Sequence, residues 1–173
     1  MHCPYCHTED HDFNNPCPQM QEANERLQKS TEEHKRRMME DVVEWPKPER
    51  TMLEWEAHGL SCAIMKGHFA LCGYVKLPTG HPCESFWYDD VQVDVHGGIT
   101  FRCKVKDGSW FGFDCGHFGD WWGYVENGHA SENPGRIWTV EDVKAETERF
   151  AEQLAKLATS STGEPKGPPE RSS

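Results

Sequence analysis

Apolar positions along this chain recur with two different periods. Over residues 139–158 they fall at helical spacing, with Val140, Val143, Thr147, Phe150, Leu154 and Leu157 on one side. Thr139 can cap that helix, and Asp142 three residues on completes a near capping box. Upstream the period shortens. Residues 61–66 and 69–77 read as two strands around the turn Lys66-Gly67-His68. Residues 99–106 and 109–114 read as two more, joined by Asp107-Gly108, a dipeptide suited to the positive φ angles of a type I′ hairpin turn. Residues 78–90 have turn chemistry and predict a long loop, and residues 123–138 look irregular. The predicted body, residues 50–158, is an α+β fold: an antiparallel sheet packed against a C-terminal helix.

Ahead of the body lies a polar segment, residues 19–45, which reads as helix through residue 44 because it holds neither Gly nor Pro. Its apolar side is thin: Met20, Ala23, Leu27, Met38 and Val42. Such a helix is largely solvated or waits for a partner. Pro46 biases Trp45 out of the helical region, which sets the boundary with the body near residues 46–50. The tail, residues 159–173, is rich in Ser, Gly, Pro and Glu and is predicted to be disordered.

Charge narrows the possible partners. The chain carries 18 basic and 29 acidic side chains, a net charge of −11, and no third of it is basic. Broad binding to a nucleic-acid backbone is therefore not expected. No apolar run approaches the roughly 20 residues that span a bilayer, and the N-terminus has no apolar signal core, so a cytoplasmic protein is expected.

Eight cysteines invite a metal at one end of the chain and reduced thiols in the rest. The head, residues 1–18, contains CPYCHTEDHDFNNPC. Cys3 and Cys6 can reach one ion from a tight turn, with His11 and Cys17 completing a tetrahedron and His7 as the rival third ligand. The spacing resembles a retroviral-type zinc knuckle, with the last gap one residue longer and Asp10 where glycine is usual. Three thiolates and one imidazole leave no open position, so this zinc would be structural.

A second group of ligating residues occupies VDVHGGITF at 93–101 and FGFDCGHFGDWW at 111–122. If Asp107-Gly108 is the turn, Lys106 faces Ser109, Arg102 faces Phe113 and Phe101 faces Asp114. Extending that ladder brings His96 near Gly119 and gathers Asp94, His96, Asp114, His117 and Asp120 at the open end of the hairpin. Phe101, Cys103, Val105 and Trp110 share a face expected to be buried, and Asp114 falls on the same side. Gly97, Gly98, Gly112, Gly116, Gly119 and Gly123 flank these residues and permit close approach of a ligand. Trp87, Trp121 and Trp122 can form an apolar wall, His81 can enter from the long loop, and Cys115 is a weak candidate nucleophile beside His117.

Three readings of this group compete. It can be a pocket for a small polar ligand such as a nucleotide, built from His81, Asp94, His96, Gly97, Gly98, Asp114, His117 and Asp120. It can be a hydrolytic centre, in which His96, Asp114, His117 and Asp120 hold a second metal that activates water, or a His–Asp pair acts as general base. Or the histidines and aspartates serve only local turn geometry. The pocket is preferred to the enzyme because no serine elbow, phosphate loop or His-Glu-x-x-His pattern is present.

GYVKLPTGHP, DVHGGITF and GFDCGHFGD, in that order and followed by WTVEDV, resemble motifs of small proteins carried by bacteriophages, notably those of actinobacteria. The resemblance covers about residues 54–158 and carries over no catalytic role. It implies work in the cytoplasm of an infected bacterium, with a small signalling molecule or a host protein as partner. A non-catalytic adapter acting through the helix at 19–44 is a further alternative.

Overall fold

The computed structural model describes residues 17–121 and 135–160. It divides into two units at residue 40/41. In the first, helix α1 (Pro18–Glu40) begins with proline at its first turn, where a missing N–H costs nothing. Cys17 stands before it as the cap, its Sγ accepting the Met20 N–H at 3.4 Å. No residue of α1 is buried, and Leu27 is 67% exposed. Glu22–Arg26, Glu33–Arg37 and Arg36–Glu40 pairs, each four residues apart, lace its surface.

The body is α+β: a five-stranded antiparallel sheet and one long helix. The strands are β1 (Thr51–Ala57), β2 (Leu60–Lys66), β3 (Leu71–Pro78), β4 (Phe101–Val105) and β5 (Gly108–Asp114), in spatial order β1-β2-β3-β5-β4. Helix α2 (Val140–Ser160) buries Val143, Phe150, Ala151 and Leu154 in the larger core, with Phe111, Phe113, Val75 and Ile64. The expected cap is present and reciprocal: Asp142 Oδ2 accepts the Thr139 N–H at 3.0 Å, and Thr139 Oγ1 accepts the Asp142 N–H at 3.1 Å. Among the described residues no helix is long and apolar enough to cross a membrane.

Three differences from the sequence expectation have physical causes. Strand β1 was not expected, yet its exposure alternates strictly, with Leu53 and Trp55 inward and Glu54 and Glu56 outward. It joins β2 through His58-Gly59, both at positive φ (53° and 76°), so this pair supplies the primed hairpin turn. At the β4–β5 hairpin the turn lies one residue earlier than expected. Val105 pairs with Gly108, and Phe101 pairs with Gly112 rather than Asp114. Gly108 (φ 144°) is there for closeness: a Cβ on it would lie 2.0 Å from the Leu77 carbonyl oxygen. Gly108→Ala is expected to cost about 3 kcal/mol or more, through clash and backbone strain together, read as a fall in the denaturant midpoint.

The third difference is that both faces of the sheet are covered. Cys103, Val105 and Trp110 share a buried face as expected, in a smaller core with Ala63, Met65 and Tyr74. Trp45 closes it, stacked on Phe101 with centroids 4.6 Å apart and edge-on to Tyr74. Val43 donates its N–H to the Lys104 carbonyl at 2.9 Å along the free edge of β4. Residues 41–45 therefore belong to the body, which is why α1 stops at residue 40 and the boundary precedes residues 46–50.

Candidate metal centre

Two glycine turns build the site. At 95–98 the Gly98 N–H bonds the Val95 carbonyl at 2.9 Å, with Gly97 (φ 66°) at the third position. At 117–120 the Asp120 N–H bonds the His117 carbonyl at 3.0 Å, with Gly119 (φ 94°) at the third position. The observed hairpin register, continued past Phe101, sets residue 96 level with residue 117 rather than 119. The two imidazoles indeed meet edge-on, with centroids 5.2 Å apart.

Helix α2 fixes the first turn from its side. Glu146 Oε1 accepts the His96 backbone N–H at 2.7 Å, and Gln153 accepts the Asp94 N–H at 2.8 Å while donating to the Asp94 carbonyl at 2.7 Å. Arg149, between them on the same helix face, clamps Glu146 at 2.6 Å and Asp94 at 2.8 Å. Burial alone would raise the Glu146 pKa, but the Arg149 guanidinium and the His96 N–H outweigh it and hold the carboxyl below its ordinary range.

Asp120 is the buried member, its side chain only 4% exposed beneath half-buried His96 and His117. Its Oδ2 accepts from His96 Nε2 at 2.7 Å and from the His117 backbone N–H at 3.0 Å, while Oδ1 accepts from Trp138 Nε1 at 2.9 Å. Burial pushes this carboxyl up, and the Trp138, His96 and His117 donors together bring it below its ordinary value. A buried carboxylate with three donors is satisfied and ionised.

His117 is not satisfied. Its Nδ1 is buried and, among the described residues, makes no hydrogen bond. It lies 3.8 Å from Asp114 Oδ1 and 4.0 Å from Asp120 Oδ2, too far for hydrogen bonds. Two atoms of one tetrahedral shell at about 2.1 Å from the ion lie about 3.4 Å apart, so both spacings would close by about half an ångström around a common ion. His96, His117 and Asp120 each offer a ligating atom within 4.8 Å of the others. Asp114 borders the group, held by the Thr100 hydroxyl and the Gly116 N–H, both at 2.9 Å.

The remaining sequence candidates lie elsewhere. Asp94 points outward, its side chain 88% exposed on Arg149. His81 is buried against the far half of α2: its Nδ1 accepts the Cys83 N–H at 3.2 Å, which leaves Nε2 to donate to the Leu154 carbonyl at 3.1 Å. Burial lowers its pKa, so it is a neutral staple of the long loop. Asp114, expected to be the buried carboxylate, is 37% exposed at the strand end. Cys115 packs in the larger core, where burial pushes its thiol far above the range of a nucleophile. Cys62 and Cys103 are pushed up to about 12 by the same cause and pack as small hydrophobes. Trp87 packs on Tyr88 within the long loop. Cys3, Cys6, His7, His11, Trp122, Gly123 and the tail from residue 161 lie outside the described residues, while residues 159 and 160, expected to open that tail, are the end of α2.

Sequence reasoning missed Trp138, Arg136 and Glu146. Trp138 packs on the His96 ring with centroids 4.5 Å apart, and the Arg136 guanidinium lies 3.6 Å over the Trp138 ring. The only usable signal was helical spacing: Glu146, Arg149 and Gln153 repeat at intervals of three and four. No protein-family model, curated protein or solved structure matches the chain. The chemistry of the site therefore rests on its own side chains.

Proposed function

We propose that the body carries a divalent-metal centre ligated by His96, His117 and Asp120, the ion taking the place of the His96–Asp120 hydrogen bond, and that this centre binds a small polar ligand at its open positions. The observation that carries this reading is the buried Nδ1 of His117, unpartnered among the described residues and near ligand spacing from two carboxylates. Two imidazoles and one carboxylate suit zinc, iron, cobalt or nickel better than magnesium or calcium. Three protein ligands leave coordination free, as in catalytic rather than structural sites. With water in that position the same centre is a metal hydrolase, in which the ion lowers the pKa of the water it binds. Asp114, held by Thr100 and Gly116 at the border of the group, adds negative charge beside the ion. In the head, Cys3, Cys6, His11 and Cys17 are proposed to hold a separate structural zinc. Cys17, capping α1, is the one of the four within the described residues. The resemblance to bacteriophage proteins supports a host cytoplasm as the setting of this proposed chemistry.

The test is metal content by elemental mass spectrometry on the full chain. Cys3→Ser with Cys6→Ser is expected to remove the head's zinc and leave one metal per chain. Adding His117→Ala to that background is expected to remove the second. Metal retained after His117→Ala would overturn the assignment.

A second reading has its own observation. The 2.7 Å bond from His96 Nε2–H to Asp120 fixes the imidazole tautomer and leaves Nδ1 as a base, the orientation used in metal-free general-base catalysis. Turnover unaffected by chelators but lost in His96→Ala would favour it over the metal.

A further inference from the structure

Several of the body's cations are committed to carboxylates. Arg149 is paired with Glu146 and Asp94, Lys76 with Asp107, Lys144 with Glu148 and Lys156 with Glu152. Arg136 is not. Among the described residues its guanidinium has no hydrogen bond and no ion pair, in a chain of net charge −11. It is nevertheless held in place. Its backbone N–H donates to the Gly119 carbonyl at 2.8 Å, and its carbonyl accepts the Trp121 N–H at 2.9 Å. These bonds pair it with Asp120 in a parallel bridge. The approach is close enough that a Cβ on Gly135 would lie 2.3 Å from the Gly119 carbonyl oxygen.

The guanidinium lies over the Trp138 ring at 3.6 Å, and Trp138 is the side chain that both donates to Asp120 and packs on His96. Stacking uses the face of a guanidinium and leaves the N–H groups on its edge free. A fixed fork of free donors, one indole away from two imidazoles and a carboxylate, matches an anion with several oxygens. On this geometry we infer that Arg136 is the anion-binding residue of the site and that the ligand carries a phosphate-type group, as in a phosphate ester. The inference rests on the metal-centre reading for the role of the second partner: the ion takes one oxygen and Arg136 another. It also explains how so acidic a chain can bind an anion, through a local pairing of cation and metal rather than through its overall field.

Inorganic phosphate is the probe, titrated calorimetrically into the zinc-loaded full chain, with zinc per chain measured on the same samples. Arg136→Gln is expected to weaken phosphate binding at least tenfold while zinc content and melting temperature hold. Arg136→Lys keeps the charge and loses the fork, so it should fall between the two and stands in should Arg136→Gln not fold. Phosphate affinity unchanged in these variants, or no phosphate binding by the zinc-loaded wild type, overturns the inference and leaves the metal centre standing. If the wild type holds no body metal, the metal reading fails by itself. Phosphate binding to that metal-free chain then decides the inference: dependence on Arg136 upholds it, and its absence overturns it.

Discussion

Asp120→Ala is expected to empty the body of metal and to lower its stability by about 3 kcal/mol, a fall in melting temperature on the order of 10 °C. The size follows from what the carboxylate holds. Three donors converge on it: His96 Nε2, Trp138 Nε1 and the His117 N–H. Alanine leaves all three without an acceptor, at about 1 kcal/mol or more each, and unties the turn that presents His117. Asp120→Asn separates the two roles. It keeps the shape and one acceptor oxygen, so stability should fall by only about 1 kcal/mol, while a neutral amide is a poor ligand and the metal should still be lost. Metal retained by Asp120→Asn would show that Asp120 only scaffolds the histidines.

Acid gives an independent check. The folded-state pKa of Asp120 is depressed, so its contribution is present above the unfolded carboxylate value of about 3.9 and disappears as pH falls through the folded value. The stability gap between wild type and Asp120→Asn should therefore be widest near neutrality and close below about pH 4. Urea midpoints of the two metal-free chains across that range would show it. A gap independent of pH would mean that the lost charge contributes nothing.

Much of this body could be read from periodicity, because periodicity reports burial. Helix α2 follows from Val143, Phe150 and Leu154, and its start from the Thr139–Asp142 pair, since both signals are local. The meeting of His96 with His117 and Asp120 was also legible, as the consequence of one hairpin. The register was not, because Gly108 could serve either a positive-φ turn or a close approach, and only its neighbour Leu77 decides between them. Strand β1 went unnoticed because its outward glutamates dilute the apolar signal of Leu53 and Trp55. His81 and Asp94 were drawn to the site by chemistry alone, and tertiary partners on α2 claim both. Trp138 and Arg136 carried no sequence signal: they reach Asp120 across a connection of more than a dozen residues, which no period spans.

Gly97→Ala is expected to weaken metal binding about 10–100-fold while leaving the sheet and α2 intact. The His117 ring lies directly against Gly97: a Cβ there would be 2.0 Å from its Cε1, 2.3 Å from Nε2 and 2.4 Å from Nδ1. No relaxation of a few tenths of an ångström removes such overlaps, so the imidazole must swing out of the cluster. The neighbouring glycine supplies the control. Gly98 has a similar left-handed backbone (φ 81° against 66°), and a Cβ on it would meet nothing within 4 Å. Alanine at either position therefore pays the same backbone strain, about 1 kcal/mol, and only alanine at 97 displaces a ligand. Zinc competition against a chromophoric chelator, run on both variants with melting temperatures alongside, reads the two effects separately. Similar melting temperatures with affinity lost only in Gly97→Ala would locate the metal at His117. Equal affinities would mean that His117 can leave its place without cost, and the centre as proposed would fail.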